Sequence, residues 1–314
     1  MDTLILSEEE VRRLLDLDDM LNALADGFKA LTSGLVCAPP RNEVIVPAGF
    51  LLGMPAHLSG DNIAVKLVSV FHGNHRLGMP GHQALICLFD PETGSTRAVM
   101  DGTYITAART AGSAALSARL LARENASTLA IIGAGIQGES HLKILPRVRH
   151  FKEIRVASLH LSDAQRVAAL DSRAIAVDSF EQAVRGADVL CLCTTSSQPV
   201  FQQEWLGKGV HITSVGYMPP GGELARGIIE KGRLFVETRL AFEPTPVGCD
   251  ELKGLNPEIG TEMGEVLLNL RPGRQSADEL TVYKSMGHAV EDMVTANLVY
   301  KRAKKEGTGV VVNL

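Results

Sequence analysis

The sequence lacks any apolar run approaching the roughly 18–20 residues of a membrane span. It also lacks a block of positive charge: the formal net charge is −5, and the one short basic cluster, "YKRAKKEG" at residues 300–307, reads as a solvated helix end. A nucleic-acid partner is therefore not expected. The opening "MDTLILSEEEVRRLL" lacks the basic start and apolar centre of a secretory signal. Cysteine is sparse and oddly numbered: the five residues Cys37, Cys87, Cys191, Cys193 and Cys249 include no CxxC pair. That argues against a disulfide framework or a thiolate metal site, and no metal is expected. Buried free thiols in a reducing cytoplasm fit instead. No internal repeat or low-complexity stretch is visible.

A length of 314 residues allows one large or two ordinary domains, each with its own core. The first hundred residues begin with a capping box, Ser7 followed by Glu10. A helical pattern then runs through Met20, Leu21, Leu24, Phe28 and Leu31, with Gly34 as its stop. From Glu43 to Asp90, short β-like runs broken by Gly, Pro and Asn predict an antiparallel sheet flanked by helices. In one of these, "IAVKLVSVF", Lys66 interrupts an apolar strand and shares a face with Ala64 and Val68. That face is either exposed or meets an anion, because a buried unpaired ammonium costs several kcal/mol or more. Arg41 follows a double proline. Arg109 lies near the start of an Ala-rich helix, "TYITAARTAGSAALSARLLA". A guanidinium, an ammonium and a positive helix end together suit a carboxylate.

Beyond that helix the signals alternate regularly between strand and helix, which predicts a parallel, doubly wound sheet. The stretch "LAIIGAGIQGESHLKIL" places Gly133, Gly135 and Gly138 in G-x-G-x-x-G spacing, after a strand and opening a helix. The three glycines serve the tight turn, the approach of a pyrophosphate, and helix–strand packing. At the end of the second strand, Ser158 stands where a carboxylate would bind a ribose 2′-OH, and no Arg follows nearby. Without a carboxylate to repel a 2′-phosphate, the expectation leans slightly to NADP(H) over NAD(H).

The run from Val65 to Ala122, together with "IIGAGIQGESHL", "SVGYMPPGGEL" and "VYKSMGHAVED", resembles the ornithine cyclodeaminase/mu-crystallin family over essentially the whole chain. The resemblance implies an α/β protein with a Rossmann doubly wound parallel sheet plus an α+β substrate-binding and dimerisation domain. The substrate domain would comprise residues 1–112 with 290–314, and the NAD(P)-binding domain residues 113–289. It implies a homodimer that takes a small imino or amino acid. Arg41, Lys66 and Arg109 match the family's carboxylate-binding cations, with Lys66 also catalytic and Met286 lining the substrate pocket. Cofactor contacts would come from Arg109, Gly133, Gly135, Ile136, Gln137, Gly138, Ser158, Thr194, Ser214, Val215, Gly216 and Ser285.

One departure bears on the reaction. Ornithine cyclodeaminases carry an Asp two residues after the "VG" glycine, where it holds the substrate's second amino group; here that place falls on Met218. Glu223, further along the same Pro/Gly-rich loop, is expected either to be exposed or to reach into the site. His72, His75 and His82 cluster near Lys66 and offer either a proton donor or structural and surface roles. The leading expectation is NAD(P)H-dependent interconversion of a cyclic ketimine, such as a pyrroline-2-carboxylate, and an amino acid. An ammonia- or water-eliminating lyase using NAD catalytically comes second. A non-catalytic, crystallin-like NADPH-binding protein comes third.

Overall fold

A computed structural model describes residues 2–314, apart from the side chains of His72 and His75. The chain divides into two compact units, residues 1–109 with 288–314 and residues 110–287.

The first unit is built on an eight-stranded sheet. Its order runs Val310–Asn313, Asp2–Leu6, Thr96–Asp101, His82–Phe89, Ile63–Val70, Gly49–Leu58 and Val36–Cys37, with Asn42–Val46 also paired to Gly49–Leu58. Every pairing is antiparallel except that of Asp2–Leu6 with Thr96–Asp101, which is parallel. The capping box forms as expected: Ser7 accepts from the Glu10 amide while Glu10 accepts from the Ser7 amide. The helix Ala289–Glu306 packs on the strands Gly49–Leu58, Ile63–Val70 and His82–Phe89, and against the helix Leu17–Thr32. A side chain at Gly27 would press on Val290 and Val294, so the glycine sets how closely those two helices approach. Their covered sheet face carries Met54, Ala64, Val68, Ile86 and Leu88, all buried. On the opposite face Leu67 and Leu85, which pair directly, are 38% and 51% exposed, and Leu51 and Val44 extend the apolar surface.

The second unit holds an eight-stranded sheet with every pairing parallel. The order is Ala174–Ala176, Glu153–Ala157, Thr128–Ile132, Val189–Leu192, His211–Ser214, Thr281–Lys284, Arg233–Val236 and Gly260–Glu262. Its central strands are buried along their whole length, as apolar runs covered on both faces must be. The strand order reverses direction between Thr128–Ile132 and Val189–Leu192. Ligands of such sheets bind beyond the strand ends at that switch point. No helix among the described residues is long and apolar enough to cross a membrane.

Candidate active site

In the second unit, the strand Thr128–Ile132 delivers the chain to Gly133 at the switch point. Gly133 has φ +107°, and a Cβ there would lie 2.5 Å from the Cys193 carbonyl oxygen. A Cβ on Gly138 would collide with the Gly133 carbonyl, so the third glycine lets the helix Ile136–Ile144 seat against the turn. Gly135 differs, since a Cβ there would meet nothing. It caps the helix with no side-chain hydrogen bond, and Gln137 Oε1 beside it is buried without a partner. Open space over unsatisfied helix-end amides is what a pyrophosphate requires. Ile136 is exposed at the mouth of this turn. Ser158, half-buried after the strand Glu153–Ala157, precedes the exposed Leu159 and His160. Arg166, on the following helix, donates to the Ala134 carbonyl at 2.7 Å and pairs with Glu139.

Thr194, Ser214 and Gly216 converge on one carboxylate. Glu223 Oε2 accepts from the Thr194 amide and hydroxyl, both at 2.7 Å, and Oε1 accepts from Ser214 Oγ at 2.9 Å and the Gly216 amide at 2.7 Å. Glu223 is fully buried, so of its two readings the exposed one fails. The reason is that four donors at the ends of two adjacent strands would otherwise be buried unpaired. A Cβ on Gly216 would lie 2.5 Å from both the Glu223 carboxyl carbon and the Thr194 carbonyl oxygen, so only glycine admits this approach. Lys284, also fully buried, pairs with Glu251 at 2.8 Å and donates to the Gly216 carbonyl at 2.8 Å and Ser214 Oγ at 3.2 Å. Burial alone would lower its pKa; Glu251, Cys249 and Glu223 outweigh that and raise it. Val215, half-buried, continues the strand by donating to the Leu192 carbonyl. Ser285 donates to Glu237 Oε1 at 2.6 Å, and that carboxylate also accepts from Tyr283 and from the amides of Met286 and Gly287. The structure therefore gathers Thr194, Ser214 and Gly216 on Glu223, which the sequence had singled out, and Ser285 on Glu237, which sequence reasoning missed. Lys284 did carry a signal, a lysine in an apolar strand like that of Lys66.

In the first unit, Lys66 is 2% exposed. Strand alternation places it with Ala64 and Val68 as expected, and the face is the covered one, so of the two readings the one that meets an anion holds. That anion is Asp292, 2.7 Å away in the first turn of the helix Ala289–Glu306. Arg109, also buried, donates from Nε to Asp292 Oδ1 at 3.0 Å and from Nη1 to Glu291 Oε2 at 3.3 Å. Glu291 Oε1 accepts from the His288 amide at 2.5 Å and so closes the helix's own capping box. The positive helix end helps hold both carboxylates charged. Burial pushes Asp292 up, but Arg109 and Lys66 outweigh it and keep the carboxyl below its usual range.

Arg41, half-exposed before the strand Asn42–Val46, is near enough for its charge to act on Lys66. Burial first, then Arg109, brings Lys66 down to about 8 against the pull of Asp292. Burial, Lys66 and Arg109 push the pKa of His82 down to about 4, which favours the neutral imidazole at pH 7. The side chains of His72 and His75 lie outside the described residues. The structure thus brings Lys66 and Arg109 onto one carboxylate, with Arg41 close by. Asp292 and Glu291 were missed because two acids opening a helix read as ordinary first-turn residues; the hint was their place at the head of a helix otherwise buried. Met286 and Met218 are both partly buried in the second unit, and Met218 has no group that could hold an ammonium.

An ammonium able to exchange its proton near neutral pH, guanidinium groups for a carboxylate and a glycine cradle for a dinucleotide make up the chemical inventory. The family model for the ornithine cyclodeaminase/mu-crystallin family matches residues 1–307. The chain is 35% identical over 319 residues to an alanine dehydrogenase of Archaeoglobus fulgidus, covering 98% of each protein. It is 37% identical over 304 residues to the ketimine reductase mu-crystallin of Mus musculus, covering 94% of this chain and 96% of that one. Among solved structures, Δ1-pyrroline-2-carboxylate reductase of Thermococcus litoralis in complex with NADH and L-proline superposes with a TM-score of 0.93 at 30% identity, over 99% of this chain and 100% of that one. The chain belongs to the ornithine cyclodeaminase/mu-crystallin family.

Proposed function

We propose that the protein is an NAD(P)H-dependent reductase that interconverts a small cyclic ketimine, such as Δ1-pyrroline-2-carboxylate, and the corresponding amino acid. The observation that carries this reading is the buried Lys66–Asp292–Arg109 cluster, an anion-binding and proton-holding site in one chain with a dinucleotide cradle. Under this reading the first unit binds substrate and the second binds the cofactor. Arg41 and Arg109 hold the α-carboxylate. Lys66 keeps a proton available to the imine nitrogen, which makes the imine carbon a better hydride acceptor. The nicotinamide, when bound, supplies the hydride. Gly133, Gly135, Ile136, Gln137 and Gly138 would hold its pyrophosphate. Thr194, Ser214, Val215, Gly216 and Ser285, fixed from beneath by Glu223 and Glu237, would frame the rest.

Ser158 presents no carboxylate to a 2′-phosphate, so NADPH is expected to serve at least as well as NADH. The exposed apolar sheet face around Leu67 and Leu85 suits a second copy of the chain, in keeping with the dimer described for an archaeal alanine dehydrogenase of 32% identity. All five thiols are free, which suits a reducing cytoplasm, but only Cys191 and Cys249 are buried as expected; Cys37 is exposed, and Cys87 and Cys193 are partly buried. The test is NAD(P)H consumption with Δ1-pyrroline-2-carboxylate, run beside an assay for ammonia from ornithine. Cofactor loss without ammonia supports the reductase. Ammonia release with no net cofactor change would refute it and the weight placed on Met218.

A further inference from the structure

The buried charges of the first unit have an arrangement that the proposed reaction does not by itself require. Asp292 touches both buried cations with different oxygens, Oδ2 to Lys66 at 2.7 Å and Oδ1 to Arg109 at 3.0 Å. It is 1% exposed, and its backbone is pinned by the capping box that Glu291 closes. Two cations brought this close in a dry site repel each other, and the shared carboxylate is what offsets the repulsion. Across the sheet Lys66 faces only Met54 and Ile86 in register, both apolar, so neither neighbouring strand offers it an acceptor at that level.

We propose that Asp292 is the positioning residue for Lys66: its carboxylate fixes the ammonium at one place on the sheet face and keeps a proton on it, while its other oxygen aligns Arg109 alongside. Among the described residues, four charged or titratable groups face Lys66. Arg109 comes from the helix Thr103–Leu121, Asp292 from the helix Ala289–Glu306, His82 from the neighbouring strand, and Arg41 from the loop before Asn42–Val46. Glu291, in the same helix turn as Asp292, pairs with Arg109. His82 is neutral over the working range, so Asp292 is the negative charge in direct contact with the lysine. Removing that charge disfavours the ammonium, so the proton leaves Lys66 at a lower pH. A reaction that needs the protonated lysine then loses rate from its alkaline side. The catalytic consequence rests on the reductase reading; the proton-holding role does not.

The experiment is an NMR titration of lysine-labelled protein, the Lys66 side-chain resonance being assigned by its loss in Lys66→Arg. In the wild type the midpoint is expected at about 8. In Asp292→Asn it should fall by about one unit or more, a tenfold change in proton affinity. The alkaline limb of kcat/KM for ketimine reduction should move by the same amount to lower pH, with NAD(P)H affinity by fluorescence changed less than about twofold. An unchanged Lys66 midpoint in Asp292→Asn overturns the proposal. If that variant does not fold, Asp292→Glu takes its place, keeping the charge but lengthening the side chain. A midpoint near the wild-type value with reduced kcat supports positioning, whereas wild-type kcat overturns it. Should the wild type reduce no ketimine, the functional reading falls, and the titration still decides the role of Asp292.

Discussion

Replacing Glu223 by Gln removes a buried carboxylate from four donors while leaving the side chain's size almost unchanged. The four bonds, at 2.7 to 2.9 Å, come from Thr194 N and Oγ1, Ser214 Oγ and Gly216 N. A glutamine amide keeps one oxygen as acceptor and turns an NH2 towards the other pair, where the hydroxyl can turn to accept but the backbone amide cannot, so both charge-assisted bonds on that side are lost. At about 1.5–3 kcal/mol for each, the cost is about 3–6 kcal/mol. Lys284 at the same time loses one of the carboxylates that raise its pKa. For a unit of this size each kcal/mol moves the melting temperature by roughly 2–4 °C, so a fall on the order of 10 °C is expected. The assay is thermal and urea unfolding of the variant beside wild type, followed by NAD(P)H binding measured by fluorescence. Binding should weaken too, because Thr194, Ser214 and Gly216 lose their common anchor. An exposed loop carboxylate would change stability by no more than about 0.5 kcal/mol. A loss that small would refute the account of Glu223 as the post that holds two strand ends together.

Lys66→Ala should lower ketimine turnover by about 10²–10⁴-fold, the usual span for loss of a proton donor, and leave NADPH affinity nearly unchanged; equal losses in both would count against its catalytic role. Ser158→Asp places a carboxylate where a 2′-phosphate would lie, so KM for NADPH should rise well above that for NADH. A ratio unmoved by the substitution would place the adenosine ribose elsewhere. Charging the apolar sheet face with Leu67→Lys and Leu85→Lys together should convert a dimer into monomers in sedimentation, since like charges would sit in direct register. A persistent dimer would show that association uses another surface.

Local pattern carried much of this molecule. Ser7 and Glu10 announce the first helix because a capping box is satisfied within four residues. Gly133 and Gly138 announce the cradle because a positive φ and a backbone collision exclude any side chain. The two-residue period of a strand was enough to put Lys66 on the same face as Ala64 and Val68. Which face that was, and what met the ammonium there, depended on a helix that arrives more than two hundred residues later. Likewise the parallel pairing of Asp2–Leu6 with Thr96–Asp101 joins segments about ninety residues apart and leaves no local trace.

The division has a physical cause. Backbone geometry, helix caps and face alternation are short-range steric and hydrogen-bonding effects, so the amino-acid sequence alone determined the glycine turn, the strand-and-helix rhythm and the residues that share a face with Lys66. The value of a buried charge is set by whatever partner long-range packing brings within about 3 Å, and a carboxylate reads the same in sequence whether it faces water or four donors. Only the tertiary structure decided that Asp292 and Glu291 meet Lys66 and Arg109, that Glu223 holds Thr194, Ser214 and Gly216, and that Glu237 holds the turn from Ser285 to Gly287.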